Sequence, residues 1–194
     1  MSGRISSIER ITNETAIQCQ LDVDGSGTVD IDTGIGFLDH MLTLFAVHGS
    51  MDLTLKAKGD LAVDAHHTVE DVGIVLGLAL KEALGRRYGV RRYGTKFVPM
   101  DETLAMVSLD LCTRAYLHLD VGDLSGTLGM MEAETMPEFF RAFAINAAFT
   151  LHARVLYGVN THHKIEAVFK ALGQALREAV IIEGEQMFST KGVL

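Results

Sequence analysis

Cysteine is scarce in this chain: there are two in 194 residues, Cys19 and Cys112, far apart and in no CxxC pair. That scarcity excludes a disulfide framework and a thiolate zinc site, and it fits a reducing cytoplasm. Long apolar runs are missing too. Residues 1–10 hold no apolar signal-peptide core, and the longest apolar stretch, 74–80, is far too short to span a bilayer, so neither secretion nor a membrane is expected. Positive charge is also in deficit, since 17 Lys+Arg against 25 Asp+Glu leave a net charge of −8. Such a field repels polyanions, so nucleic acid is not an expected partner and any phosphate ligand must be met by local cations. The composition that remains, 48% hydrophobic and 22% charged, is that of a globular protein able to bury a core without covalent staples.

The chain repeats itself. Shifted by 96 residues, His66-His67-Thr68-Val69-Glu70 falls on His162-His163-Lys164-Ile165-Glu166, and 10 of the 18 positions from His66 to Ala83 are identical. The segments beginning at Phe37 and Met136 both open apolar helical patterns upstream of their His-His pair. The reading is one unit, 1–194, made of two duplicated half-domains, about 1–90 and about 91–194.

Periodicity fills in each half. Residues 15–23 and 28–31 alternate apolar and polar side chains around Asp24-Gly25-Ser26-Gly27, which predicts a hairpin. A helix is expected over 37–47, a strand over 51–57 and a long helix over 66–84 with Gly85 as its stop. The second half repeats the order: strands over 103–110 and 115–121, a helix over 136–149, a strand over 150–156 and a helix over 163–181. The expected fold is α+β, each half a mostly antiparallel sheet with helices packed on one face.

On a helix, His66 and Glu70 are four residues apart and His67 and Glu70 three, so imidazole and carboxylate share one side of its first turn. Adjacent histidines cannot point the same way, so each pair can serve two metals, or one metal and one substrate. Nitrogen and carboxylate oxygen without thiolate suit Mn²⁺, Fe²⁺ or Zn²⁺. A single HHxxE is most simply a capping or surface pair; its recurrence in both copies argues against that, because packing has no need of it twice. His40 lies upstream of the first copy, and Glu138 is its counterpart in the second. Two pseudo-symmetric metal sites follow, each taking one of His40 and Glu138, histidines from the HHxxE copies, and Glu70 or Glu166. His152 reads equally well as a ligand and as a supporting or core histidine. His48 is expected as a cation at a helix C-terminus, with a substrate contact as its other reading, and His118 as a strand-face residue. Among the basic residues, Arg86, Arg87 and Arg91 read as solvated surface charge. Lys170, one turn past Glu166, places a cation near bound substrate.

The segments Gly34-Ile35-Gly36-Phe37-Leu38-Asp39-His40-Met41, Asp64 to Asp71 around the first HHxxE, and Asn160 to Ala167 around the second closely resemble the imidazoleglycerol-phosphate dehydratase family of histidine biosynthesis. The similarity runs from Arg10 to Val193. The resemblance implies a tandem pair of ribosomal protein S5 domain 2-like halves, a large octahedral homo-oligomer (a 24-mer), and an active site with two Mn²⁺, or Fe or Zn, formed between subunits. It implies metal ligands at His40, His66, His67, Glu70, Glu138, His162, His163 and Glu166, with His152 as the substitute at the position where some members have histidine in place of Glu138. It places substrate contacts at Glu14, His40, His66, Arg92, Arg114, His162, Lys170, Ser189 and Lys191. The reaction so implied turns D-erythro-imidazoleglycerol phosphate into imidazoleacetol phosphate and water, taking a proton from carbon with no carbonyl beside it. Metals would act as Lewis acids and templates, and Glu14 or Glu166 would move the proton. The alternatives are another dimetal enzyme on a phosphate substrate, such as a hydrolase, and a metal-storage protein. Storage bundles of the ferritin type need four long helices, and here strands interrupt the helices.

Overall fold

The computed structural model describes residues 3–186 and 189–190. Each half contributes a four-stranded sheet with two helices on one face, so the fold is the expected duplicated α+β arrangement. The first half runs β1 (Ile5–Ile11), β2 (Thr15–Asp22), β3 (Val29–Asp32), α1 (Gly36–Gly49), β4 (Asp52–Gly59) and α2 (His66–Leu84). The second runs β5 (Tyr93–Met100), β6 (Thr103–Asp110), β7 (Tyr116–Asp120), a short ribbon β8 (Thr127–Leu128) and β9 (Met131–Glu132), α3 (Met136–Ala147), β10 (Thr150–Tyr157) and α4 (Thr161–Ala179). The sheet orders match, β1-β2-β4-β3 and β5-β6-β10-β7.

Alternation fixes which face of each sheet is covered. In β2, Ile17, Cys19 and Leu21 point inward, and in β6, Ala105, Val107 and Leu109 do. The inner faces pack on helices of their own half, while across the middle α1 packs on α4 and α2 on α3. The helices are therefore covered on both sides, and all four belong to one continuous core.

Two expectations are corrected. Residues 15–31 do not form a hairpin: β4 lies between β2 and β3, antiparallel to the first and parallel to the second. Residues 24–28 form a loop wound around a carboxylate, with Asp52 Oδ1 accepting the backbone N–H of Ser26, Gly27 and Thr28 at 2.7, 3.0 and 2.8 Å. Asp52 opens β4, so the loop locks the intervening strand in place. Arg87, read as solvated charge, is 3% exposed, and its guanidinium donates to the carbonyls of Leu111, Cys112, Ala147 and Ala148. Two of those carbonyls close α3, where helical partners run out.

Candidate active site

Contact between α1 and α4 is close because Gly173 has no side chain. A Cβ there would lie 2.4 Å from the Phe45 carbonyl oxygen and 3.0 Å from the Gly49 nitrogen. The mirror contact has Gly77 against the Phe143 oxygen and Ala147 nitrogen, at 2.7 and 2.9 Å. The two glycines occupy the same position of the repeat, so one crossing occurs twice.

That crossing brings His40 of α1 to the start of α4, where His162, Glu166 and His40 each offer a ligand atom, all within 4.8 Å of one another. Glu166 Oε2 lies 3.0 Å from His162 Nε2 and 3.5 Å from His40 Nε2, and its Oε1 lies 2.5 Å from Lys170 Nζ. The Phe37 ring meets His162 edge-on at 5.1 Å. Burial opposes ionisation of Glu166, but the hydrogen bonds from Lys170 and His162 outweigh it and hold its carboxyl below the usual range. Two imidazoles and an ionised, well-buried carboxylate are a donor set that fits a divalent cation of the Mn, Fe or Zn type.

The second histidine of each pair turns away from the first, with ring planes 80° apart at His66–His67 and 77° at His162–His163. His67 Nδ1 lies 3.0 Å from Asp60 Oδ2, and its Nε2 lies 3.9 Å from Glu14 Oε1. His163 Nδ1 lies 2.6 Å from Glu102 Oε2, and its Nε2 lies 3.8 Å from Asp101 Oδ2. These hydrogen bonds raise the pKa of both imidazoles, and the one from His163 is the largest cause holding Glu102 far below the usual carboxylate range. Neither Asp60 nor Glu102 stood out in the sequence. The available signal was the repeat itself: Glu102 immediately precedes β6 as Glu14 precedes β2.

The mirror set is placed differently. Glu138 pairs with Arg141 at 2.8 Å, His66 is exposed, and Glu70 is partly buried; among the described residues these three do not form a cluster like that at His40. His152 is on the face of the second sheet opposite the helices, beside His118 with ring centroids 5.4 Å apart. His48 is not the expected cation, because burial and then Lys170 lower its pKa. The Arg92 guanidinium grips Asp110, Nε to Oδ1 at 2.6 Å, and Arg114 is exposed. Ser189 is partly buried, and Lys191 lies outside the described residues.

Fold and site together define a duplicated α+β protein with a histidine–carboxylate centre built across its two halves. Solved structures share the fold. The crystal structure of imidazoleglycerol-phosphate dehydratase from Staphylococcus aureus is 41% identical, with TM-score 0.82 over 92% of this chain and 99% of that one. The Pyrococcus furiosus enzyme in complex with (S)-C348 is 38% identical, with TM-score 0.83 over 96% and 100%. A family model described as imidazoleglycerol-phosphate dehydratase matches residues 33–176. Enzymes of that name from Clostridium botulinum, over all of both chains, and Acetivibrio thermocellus, over 96% of this chain and 97% of the relative, are each 57% identical. The chain belongs to the imidazoleglycerol-phosphate dehydratase family, which makes it a hydro-lyase. Among the described residues no helix is long and apolar enough to cross a membrane.

Proposed function

We propose that this chain is a dimetal dehydratase of histidine biosynthesis that converts D-erythro-imidazoleglycerol phosphate to imidazoleacetol phosphate and water. It works in the cytoplasm, as an octahedral 24-mer with two Mn²⁺, or Fe or Zn, in each active site. The grouping of His40, His162 and Glu166 from opposite halves of the chain is the observation that carries this reading. Family membership makes the phosphorylated imidazole the substrate to test.

Bound metal would supply Lewis acidity and a template for the substrate imidazole. The residues divide the remaining work. Both Glu166 oxygens are engaged, one by Lys170 and the other by His162 and His40, so Glu166 serves as a ligand. Glu14 has a side chain 53% exposed and faces His67, so it is the carboxylate free to take the proton from carbon. Hydroxide leaves the adjacent carbon, and the resulting enol becomes the ketone. An ammonium has three donors, so Lys170 can hold Glu166 and still offer hydrogen bonds to substrate. Arg92, Arg114 and the Ser189 to Lys191 segment supply the further phosphate contacts. Glu138, partly buried and paired with Arg141, and an exposed His66 suit ligands offered to a neighbouring subunit.

Turnover of the substrate by the Mn²⁺-loaded protein tests this. The ketone product is expected without release of inorganic phosphate; phosphate release would make the protein a hydrolase, and neither product would make it a store. Glu14→Gln is expected to lower kcat about 10²- to 10⁴-fold, the worth of a positioned general base, while leaving metal content unchanged.

A further inference from the structure

The same need is met differently in the two halves. For His67 and His163 to bind a cation through Nε2, something must hold Nδ1–H, and a carboxylate, which only accepts, fixes that tautomer and the ring's direction. In the first half the carboxylate comes from the connection between β4 and α2, six residues long (60–65), whose first residue is Asp60. In the second half the matching connection, between β10 and α4, has three residues (158–160), Gly158, Val159 and Asn160, none of them acidic. The carboxylate there is Glu102, from the turn before β6. It also accepts the backbone N–H of Val159 at 3.1 Å and of Asn160 at 2.9 Å, so it ties the short connection down as well.

Glu102 and Glu14 hold equivalent places, each just before a buried threonine, Thr103 or Thr15, that opens the second strand of its sheet. In the first turn the Thr12 hydroxyl accepts the backbone N–H of Glu14 and Thr15, and the Glu14 side chain is left exposed. We infer that Asp60 and Glu102 are the positioning residues of His67 and His163, and that the longer first connection, by supplying its own carboxylate, releases Glu14 for proton transfer. The duplicated site thus has one free turn carboxylate where repetition alone would give two. This rests on the proposal that His67 and His163 bind divalent metal.

Mn²⁺ itself is the probe: the intact chain is stripped, then titrated while the EPR signal of aqueous Mn²⁺ reports free metal. Asp60→Ala and Glu102→Ala are each expected to weaken part of the isotherm by about 10- to 100-fold, the usual effect of removing a carboxylate behind a metal-binding histidine. Asp60→Asn and Glu102→Gln, which keep an acceptor, are expected to restore most of it. Glu14→Gln is expected to bind Mn²⁺ like the unaltered protein while losing turnover. Among the described residues the Asp60 carboxylate holds only the imidazole, so Asp60→Ala keeps the test decisive even where Glu102→Ala fails to fold. An Asp60→Ala protein with unaltered melting temperature and Mn²⁺ isotherm overturns the inference, as does weakened binding in Glu14→Gln. An unaltered chain that takes up no Mn²⁺ overturns instead the dimetal reading beneath it.

Discussion

Arg87 spans the join between the two halves with one side chain. Its guanidinium satisfies carbonyls at the end of α3 and just after β6, and desolvation lowers its pKa, yet fixed partial charges surround it on the acceptor side. Arg87→Met should fold less stably by about 3 kcal/mol, because buried carbonyls left without a donor cost about 1–3 kcal/mol each and water reaches only some of them. Chemical denaturation measures this, and a loss under 1 kcal/mol would mean that solvent takes over the guanidinium's role. This arginine was opaque in the sequence because its acceptors lie 24 to 61 residues away. The same distance hid Glu102 from His163, whereas His162 and Glu166 were legible together because four residues on a helix set their spacing. His48 shows the limit of a positional rule: the helix end favours a cation, but burial and Lys170 work against it.

At the scale of elements, periodicity located α2, with Gly85 as its C-cap, and β6, because each has a buried face that repeats at its own period. It did not disclose that β4 enters between β2 and β3, since alternation reveals a strand and not its neighbour. The loop that decides the matter depends on Asp52, more than twenty residues beyond the apparent turn. Edge strands β1 and β5 were missed for a related reason: β1 buries only Ser6 well, leaving no apolar stripe to read. The glycines at the helix crossings give a sharper prediction. Gly173→Ala should cost about 1–3 kcal/mol by overpacking, since its Cβ meets backbone that cannot rotate aside. It should also part His40 from His162 and Glu166 and lower Mn²⁺ affinity. Thermal melts together with Mn²⁺ titration check both, and an unchanged melting temperature would show that the helices slide apart at no cost.

For the whole molecule, metals shared between subunits would join ligand binding to assembly, because a cation held only in the oligomer stabilises it by mass action. Chelation with EDTA is then expected to break the particle into smaller species and added Mn²⁺ to restore its size, as followed by light scattering; a particle that keeps its mass after losing all metal would refute the link. The repeat was legible as a repeat, but not the way its halves interlock. Each sheet covers its helices on one side only, and the other side is closed by helices of the opposite half. A chain severed in the link between α2 and β5 would yield two fragments that each expose a helical layer. Their folding would become a bimolecular event that depends on fragment concentration, and the His40 group would exist only while the fragments stayed together.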